Sequence, residues 1–251
     1  MDTVKIERKA LSSRERKSNI STEHSSRIYW LGRYTERAFT TLKSLERLYD
    51  KVIDRDSEHY KKYLDCFGLS DTYGDYKAFF RSFIFDKNNS CSSAYSLERA
   101  YDNGIVLREE ISTDSLAYLQ LAKDKLKSAE NTPQGLVVAM MPLEDILYGF
   151  YGCFIDHVYN EEIRDIFLCA KSVERVELYI RLKYRSEKIR SEFERLCNFL
   201  ERIPMNTPYR YDPKQLTLLS EMICSENGCN GREYEAISAL GKLFDKNEKK
   251  G

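Results

Sequence analysis

The sequence is short of the residues that make tight turns. Its 251 positions hold 11 glycines and 5 prolines, too few for the repeated hairpins of an all-β chain. No window alternates apolar and polar residues between turn signals, so no strand is predicted. Nor is there an uninterrupted apolar run of the roughly 18–20 residues that a membrane span requires. The greasiest stretch, 136–154, is broken by Pro142, Glu144 and Asp145. The opening MDTVKIERKALSSRERK lacks the apolar core of a secretory signal. Neither sign of charge dominates: 40 Lys and Arg face 40 Asp and Glu, which gives no global pull on nucleic acid. The seven cysteines are scattered and odd in number, which argues against a disulfide framework. The expectation is a cytoplasmic protein that binds neither membrane nor nucleic acid.

Missing motifs narrow the chemistry further. There is no phosphate-binding loop and no dinucleotide glycine fingerprint. A di-iron bundle needs two Glu-x-x-His sets, and the nearest approach is a single Asp56-Ser57-Glu58-His59. Cys153 and His157, one helical turn apart, have the spacing of a nucleophile and its base. Cys153 lies in an apolar run, however, and reads better as a core thiol. Cys224 and Cys229 flank a turn and read as reduced thiols, because no further Cys pair or His completes a zinc set. Asp156, Glu161, Glu162 and Asp165 could gather a hard cation. As acids near a helix start they are explained equally well by its dipole. No metal and no cofactor is assigned, and an anion or nucleotide stays possible.

What the sequence does have is helical periodicity. Residues 1–25 are charged and Ser-rich and read as a flexible arm. Ile28, Leu31, Tyr34, Ala38, Leu42, Leu45, Tyr49 and Val52 step by three and four, one stripe of a long amphipathic helix. SEHYKKYLDCF and DYKAFFRSFIF predict short helices, with a loop at DKNNSCSS. A helix from Tyr95 should break at Asn103-Gly104. Ser112 or Thr113 can cap the next one, to about Lys127. Thr132-Pro133 should open another that restarts or kinks at Pro142. Asn160 can cap a helix running to about Arg202. Asp212-Pro213 starts one ending near Glu226–Gly228, and the last covers Arg232 to Phe244. The fold class is all-α, a bundle of seven to nine helices forming one domain over 26–246, with a Lys-rich tail at 247–251.

One charged pattern occurs twice. YWLGRYTER, at 29–37, places Arg33 three residues before Glu36-Arg37. FLCAKSVER, at 167–175, places Lys171 three residues before Glu174-Arg175. Each pair is followed six residues on by another base, Lys43 and Arg181. On the first helix Arg33, Glu36 and Thr40 fall opposite the apolar stripe. Taken alone, they read as an exposed face. The second helix is apolar nearly all round, which predicts burial, and buried charges must be paired or line a cleft. The economical arrangement packs the two pseudo-repeated helices at the centre, Glu36 facing Arg175 and Glu174 facing Arg37. Arg33, Lys171, Lys43 and Arg181 would surround them. That centre is either a polar clasp or, with its surplus of cations, an anion site.

The same residues resemble the Alpha-E family, helical proteins named for a Glu-Arg motif. Ser26-Arg27 and YWLGRYTERA are similar to its N-terminal signature. FYGCFIDHVYNEEIRDIFLCAKSVERVELYIRL is similar to its second, with Ala170-Lys171 standing where Gly-Arg is usual. LREEISTDSLAYLQ matches a third block through Arg108, Glu109 and Ser112, with Leu116 where Trp is common. The resemblance covers about 26–200. It implies a helical fold and an association with ATP-grasp ligases and transglutaminase-like proteins in peptide-forming or peptide-modifying systems. Arg108 thereby joins the candidate site. The leading expectation is an accessory subunit acting with an ATP-grasp-type ligase. Two alternatives stay open: an enzyme handling an acyl or phosphorylated intermediate at the Arg/Glu centre, and a purely structural helical scaffold.

Overall fold

The computed structural model describes residues 20–54, 56–132, 135–203 and 209–244, and for 135–139 the backbone alone. Among the described residues the regular elements are all helical. They are α1 Thr22–Asp54, a 3-10 turn Ser57–His59, α2 Tyr60–Phe67, α3 Tyr76–Phe85, α4 Ser93–Val106, α5 Thr113–Glu130, α6 Gly135–His157, α7 Glu161–Arg181, α8 Ser186–Leu200, α9 Pro213–Ile223 and α10 Glu233–Gly241. The fold class is all-α, as expected. No described helix is long and apolar enough to cross a membrane. The expected arm over 1–25 lies outside the described residues up to position 19, and its last residues belong to α1. The Lys-rich tail and the Pro133 helix start also lie outside them.

Residues Trp30–Tyr159 cluster into one compact unit. Its short helices are set by side-chain caps. Asp75 accepts from Ala78 N, Ser92 from Tyr95 N and Ser112 from Ser115 N, each supplying a partner for a helix-end N–H that has none within the helix. Tyr60, Tyr63, Phe79, Phe80 and Phe83 are buried together in tilted and edge-on ring contacts. The Tyr60 hydroxyl donates to Asp71 at 2.8 Å. Burial, with that carboxylate beside it, pushes the phenol up to about 12.

Two sequence readings are corrected in this unit. Asn103-Gly104 does not break α4, which runs on to Val106. A Cβ at Gly104 would stand 3.2 Å from Cδ1 of both Leu116 and Leu119, so the glycine serves the close approach of α5. Pro142 does not restart a helix either, because α6 is continuous to His157.

The second unit holds the described residues up to Tyr29 and from Asn160 on. Asn160 caps α7 through Glu162 N and Ile163 N. The expected single helix to Arg202 is in fact two, α7 and α8, which adds the tenth helix. Lys183 takes a left-handed φ of 51°. Tyr184 N reaches back to Tyr179 O at 3.0 Å, the six-to-one bond of a Schellman stop without its usual glycine. The rings of Tyr179 and Tyr184 stack at 4.4 Å, with the Lys188 ammonium over both. This packing offsets the cost of a left-handed lysine. Asp212 caps α9, which ends at Ile223. Tyr29, at the start of α1, stacks on Tyr209 and meets the edge of Phe244.

Candidate functional site at the Glu-Arg positions

In the Trp30–Tyr159 unit, the face of α1 that the sequence alone marks as exposed is buried. Glu36 is 0% exposed, Thr40 4% and Arg33 8%, whereas Tyr34, on the apolar stripe, is only half-buried. The exposed-face reading of the first motif is therefore overturned. Two hydroxyls along this stretch return to their own helix. Thr35 donates to Leu31 O at 2.9 Å, and Ser44 to Thr41 O at 2.9 Å. Ser44 also shares a hydrogen bond with the Tyr63 hydroxyl at 3.1 Å. Small hydroxyls that return to their own helix let a helix be buried without stranding donors.

Both oxygens of Glu36 accept hydrogen bonds. Thr40 Oγ1 donates to one at 2.7 Å, and Tyr151 Oη on α6 donates to the other at 3.2 Å. Arg33 lies over the Trp30 ring at 5.9 Å and Arg37 over Tyr34 at 5.7 Å, within reach of cation–π attraction.

Lys43 is engaged inside this unit. Its ammonium is 3.4 Å from Glu144 Oε2 and donates to the Tyr148 hydroxyl at 3.1 Å. It also lies over the Phe39 and Tyr148 rings. Burial works against its charge, yet the Tyr148 hydroxyl and Glu144 carboxylate hold its pKa above the ordinary value. The pair is unequal. Burial pushes the Glu144 carboxyl above its usual range despite the Lys43 ammonium. Its buried Oε1 makes no hydrogen bond among the described residues. Geometry favours this asymmetry, since Lys43 has two polar partners and Glu144 only one satisfied oxygen.

Arg108 stands apart from the buried positions. It follows α4, its side chain is 70% exposed, and its ion pair is with the adjacent Glu109 at 3.2 Å.

In the second unit, Glu174 is 1% exposed and Ser172 3%, whereas Arg175 of the same motif is only half-buried. Arg175 donates to Glu192 Oε2 at 3.3 Å, and Ser172 donates to Glu192 Oε1 at 3.0 Å. Glu192, on α8 and 7% exposed, is a buried partner that sequence reasoning missed. Its one signal was a carboxylate on the same face as Ile189, Phe193 and Leu196, which α8 buries. Arg181 is held on its own helix, with Nε and Nη2 donating to Glu177 Oε1 at 3.1 and 3.0 Å. Lys171 is half-buried one turn before Arg175.

The other candidates resolve simply. The His157 ring bonds the Cys153 carbonyl at 3.0 Å rather than its thiol. Cys224 and Cys229 form no disulfide, and burial pushes the Cys229 thiol up to about 11, which disfavours its reactive thiolate form. No group of three or more His, Cys, Asp or Glu side chains among the described residues is arranged to hold a metal ion.

Helices on every described element, with a Glu-Arg pair on each of two of them and its glutamate buried, define a class of helical domain built around that dipeptide. Residues 23–204 match the Alpha-E family, described as a predicted alpha-helical domain with a conserved ER motif. The match spans well over half of the chain, and the chain belongs to the Alpha-E family. No curated protein and no solved structure matches it.

Proposed function

We propose that the chain is an accessory helical subunit of a peptide- or amide-bond-forming system, acting with an ATP-grasp-type ligase. The observation that carries this reading is the condition of Glu36. The family's own motif glutamate has no solvent exposure, and both its oxygens take hydrogen bonds from hydroxyls of its own unit. A carboxylate so committed holds helices together and is poorly placed to act on a substrate. The second motif supports the same role, with Arg175 tied to the buried Glu192. A domain whose motif serves its own packing contributes to a reaction through a partner. The family resemblance supplies the class of that partner.

The test is recovery of the chain from its own cell with its bound proteins, followed by ATP-dependent amide formation with each ligase recovered. The reading predicts that a ligase co-purifies and that its product yield falls when the chain is left out. Amide formation by the chain alone would replace it with the enzyme reading. Recovery of no ligase would leave a helical scaffold.

A further inference from the structure

Within the Trp30–Tyr159 unit, α4 and α5 border a groove of about 230 Å³. Steps of three and four place Gln120, Lys123, Asp124 and Lys127 along one side of α5, and all four line the groove. The floor is apolar: Phe85, Leu97 and Leu126 are 7%, 1% and 5% exposed. Two of the ammonium groups are already engaged. Glu98 holds Lys87 through Oε2 at 3.2 Å and Lys123 through Oε1 at 3.1 Å. Lys123 also lies over the Tyr101 ring at 3.8 Å. Glu98 is thus a fixed, neutralised wall.

Two opposite charges in the groove remain to be matched. Lys127 forms no ion pair among the described residues, and Asp124 accepts only the Gln120 amide, through Oδ1 at 2.8 Å. They are one helical turn apart, so their heads can converge on neighbouring atoms of a ligand. A ligand that satisfies both carries an anionic and a cationic group close together, as on one carbon, with an apolar body for the floor. The groove is smaller than the ~300–1,000 Å³ usual for drug-sized ligands.

We infer that this groove binds a free apolar α-amino acid. Its carboxylate meets Lys127, its ammonium meets Asp124, and its side chain rests on Phe85, Leu97 and Leu126. A peptide end carries only one of the two charges beside its terminal side chain and fits less well. The inference goes beyond the ligase reading and does not depend on it.

The experiment is calorimetric titration of the full-length chain with L-leucine, L-phenylalanine and glycine, and with N-acetyl-leucine and leucinamide. Both headgroups bind near solvent, so leucine or phenylalanine should bind with Kd of about 0.1–1 mM. Glycine and both singly charged derivatives should bind at least about tenfold more weakly. Lys127→Met and Asp124→Asn, both at exposed positions, should each lose about the same factor with unchanged melting temperature. Absence of leucine and phenylalanine binding at ten times that Kd overturns the inference. Equal binding of the N-acetyl or amide form overturns it as well, as does binding that survives both substitutions.

Discussion

The Tyr151 hydroxyl donates to the carboxylate of Glu36 at 3.2 Å, across 115 positions of sequence. This bond joins α6 to the first Glu-Arg pair on α1, and neither end is exposed enough for water to replace it: Glu36 is at 0% and Tyr151 at 7%. Tyr151→Phe keeps the ring and removes the donor. A hydrogen bond to a charged group is worth roughly 1.5–3 kcal/mol. The variant should therefore melt several degrees below wild type, with an unchanged helical circular dichroism spectrum at low temperature. An unchanged melting temperature would mean that the bond contributes nothing.

Arg175 and Arg195 both approach Glu192, at 3.3 and 3.9 Å, but their side chains are 16% and 64% exposed. Removing the more buried partner leaves the Glu192 carboxylate with the Ser172 hydroxyl and the exposed Arg195 alone, at a cost of up to roughly 3–5 kcal/mol. Removing the exposed one should cost at most about 1 kcal/mol. Urea midpoints of Arg175→Ala and Arg195→Ala measure the difference. Equal midpoints would show that Glu192 is solvated.

Much of the fold was legible because its signals are local. Apolar steps of three and four gave α1, and capping residues at 112, 160 and 212 marked helix starts. The errors arose where a tertiary contact overrides a local signal. Gly104 carries a turn signal, yet it is kept helical by the close approach of Leu116 and Leu119. The break after α7 has no glycine or proline, only a lysine held left-handed beside two stacked tyrosines.

The candidate site was legible only in part. Among the described residues Glu-Arg recurs at 46–47, 98–99, 194–195 and 201–202, where the glutamates are half-buried or exposed. The dipeptide alone does not distinguish these from Glu36 and Glu174. Nearby hydroxyls do not distinguish them either, since Ser44 and Ser96 precede Glu46 and Glu98 by the same two positions as Ser172 precedes Glu174. Glu192 was missed because its partners lie on another helix.

Glu144 gives a pH dependence whose sign is opposite to that of a stabilising carboxylate. Burial raises its pKa in the folded state, so over the window from its ordinary value up to that raised value the folded state holds more protons than the unfolded one. Stability then falls as pH rises through that window. Glu144→Gln has no proton to lose, and Lys43 keeps its bond to Tyr148. The variant should melt above wild type at neutral pH, and the gap should close as pH drops through that same window. Melting curves across that range decide it. A variant less stable than wild type at neutral pH would show that the Lys43 pair outweighs the cost of burial.

The proposed reading treats the buried Glu36 and Glu174 as part of the packing of their own units rather than as an anion site. The most direct measurement is the melting temperature of the wild-type chain with ATP, ADP or pyrophosphate. A micromolar ligand at about a hundredfold excess over its dissociation constant adds roughly 2.7 kcal/mol, about 5–10 °C for a chain of this size. The account predicts no shift with any of the three, and a lower melting temperature for Glu36→Gln whether or not they are present. A rise of that size in wild type, lost in Arg33→Gln, would contradict it and make the motif a ligand site.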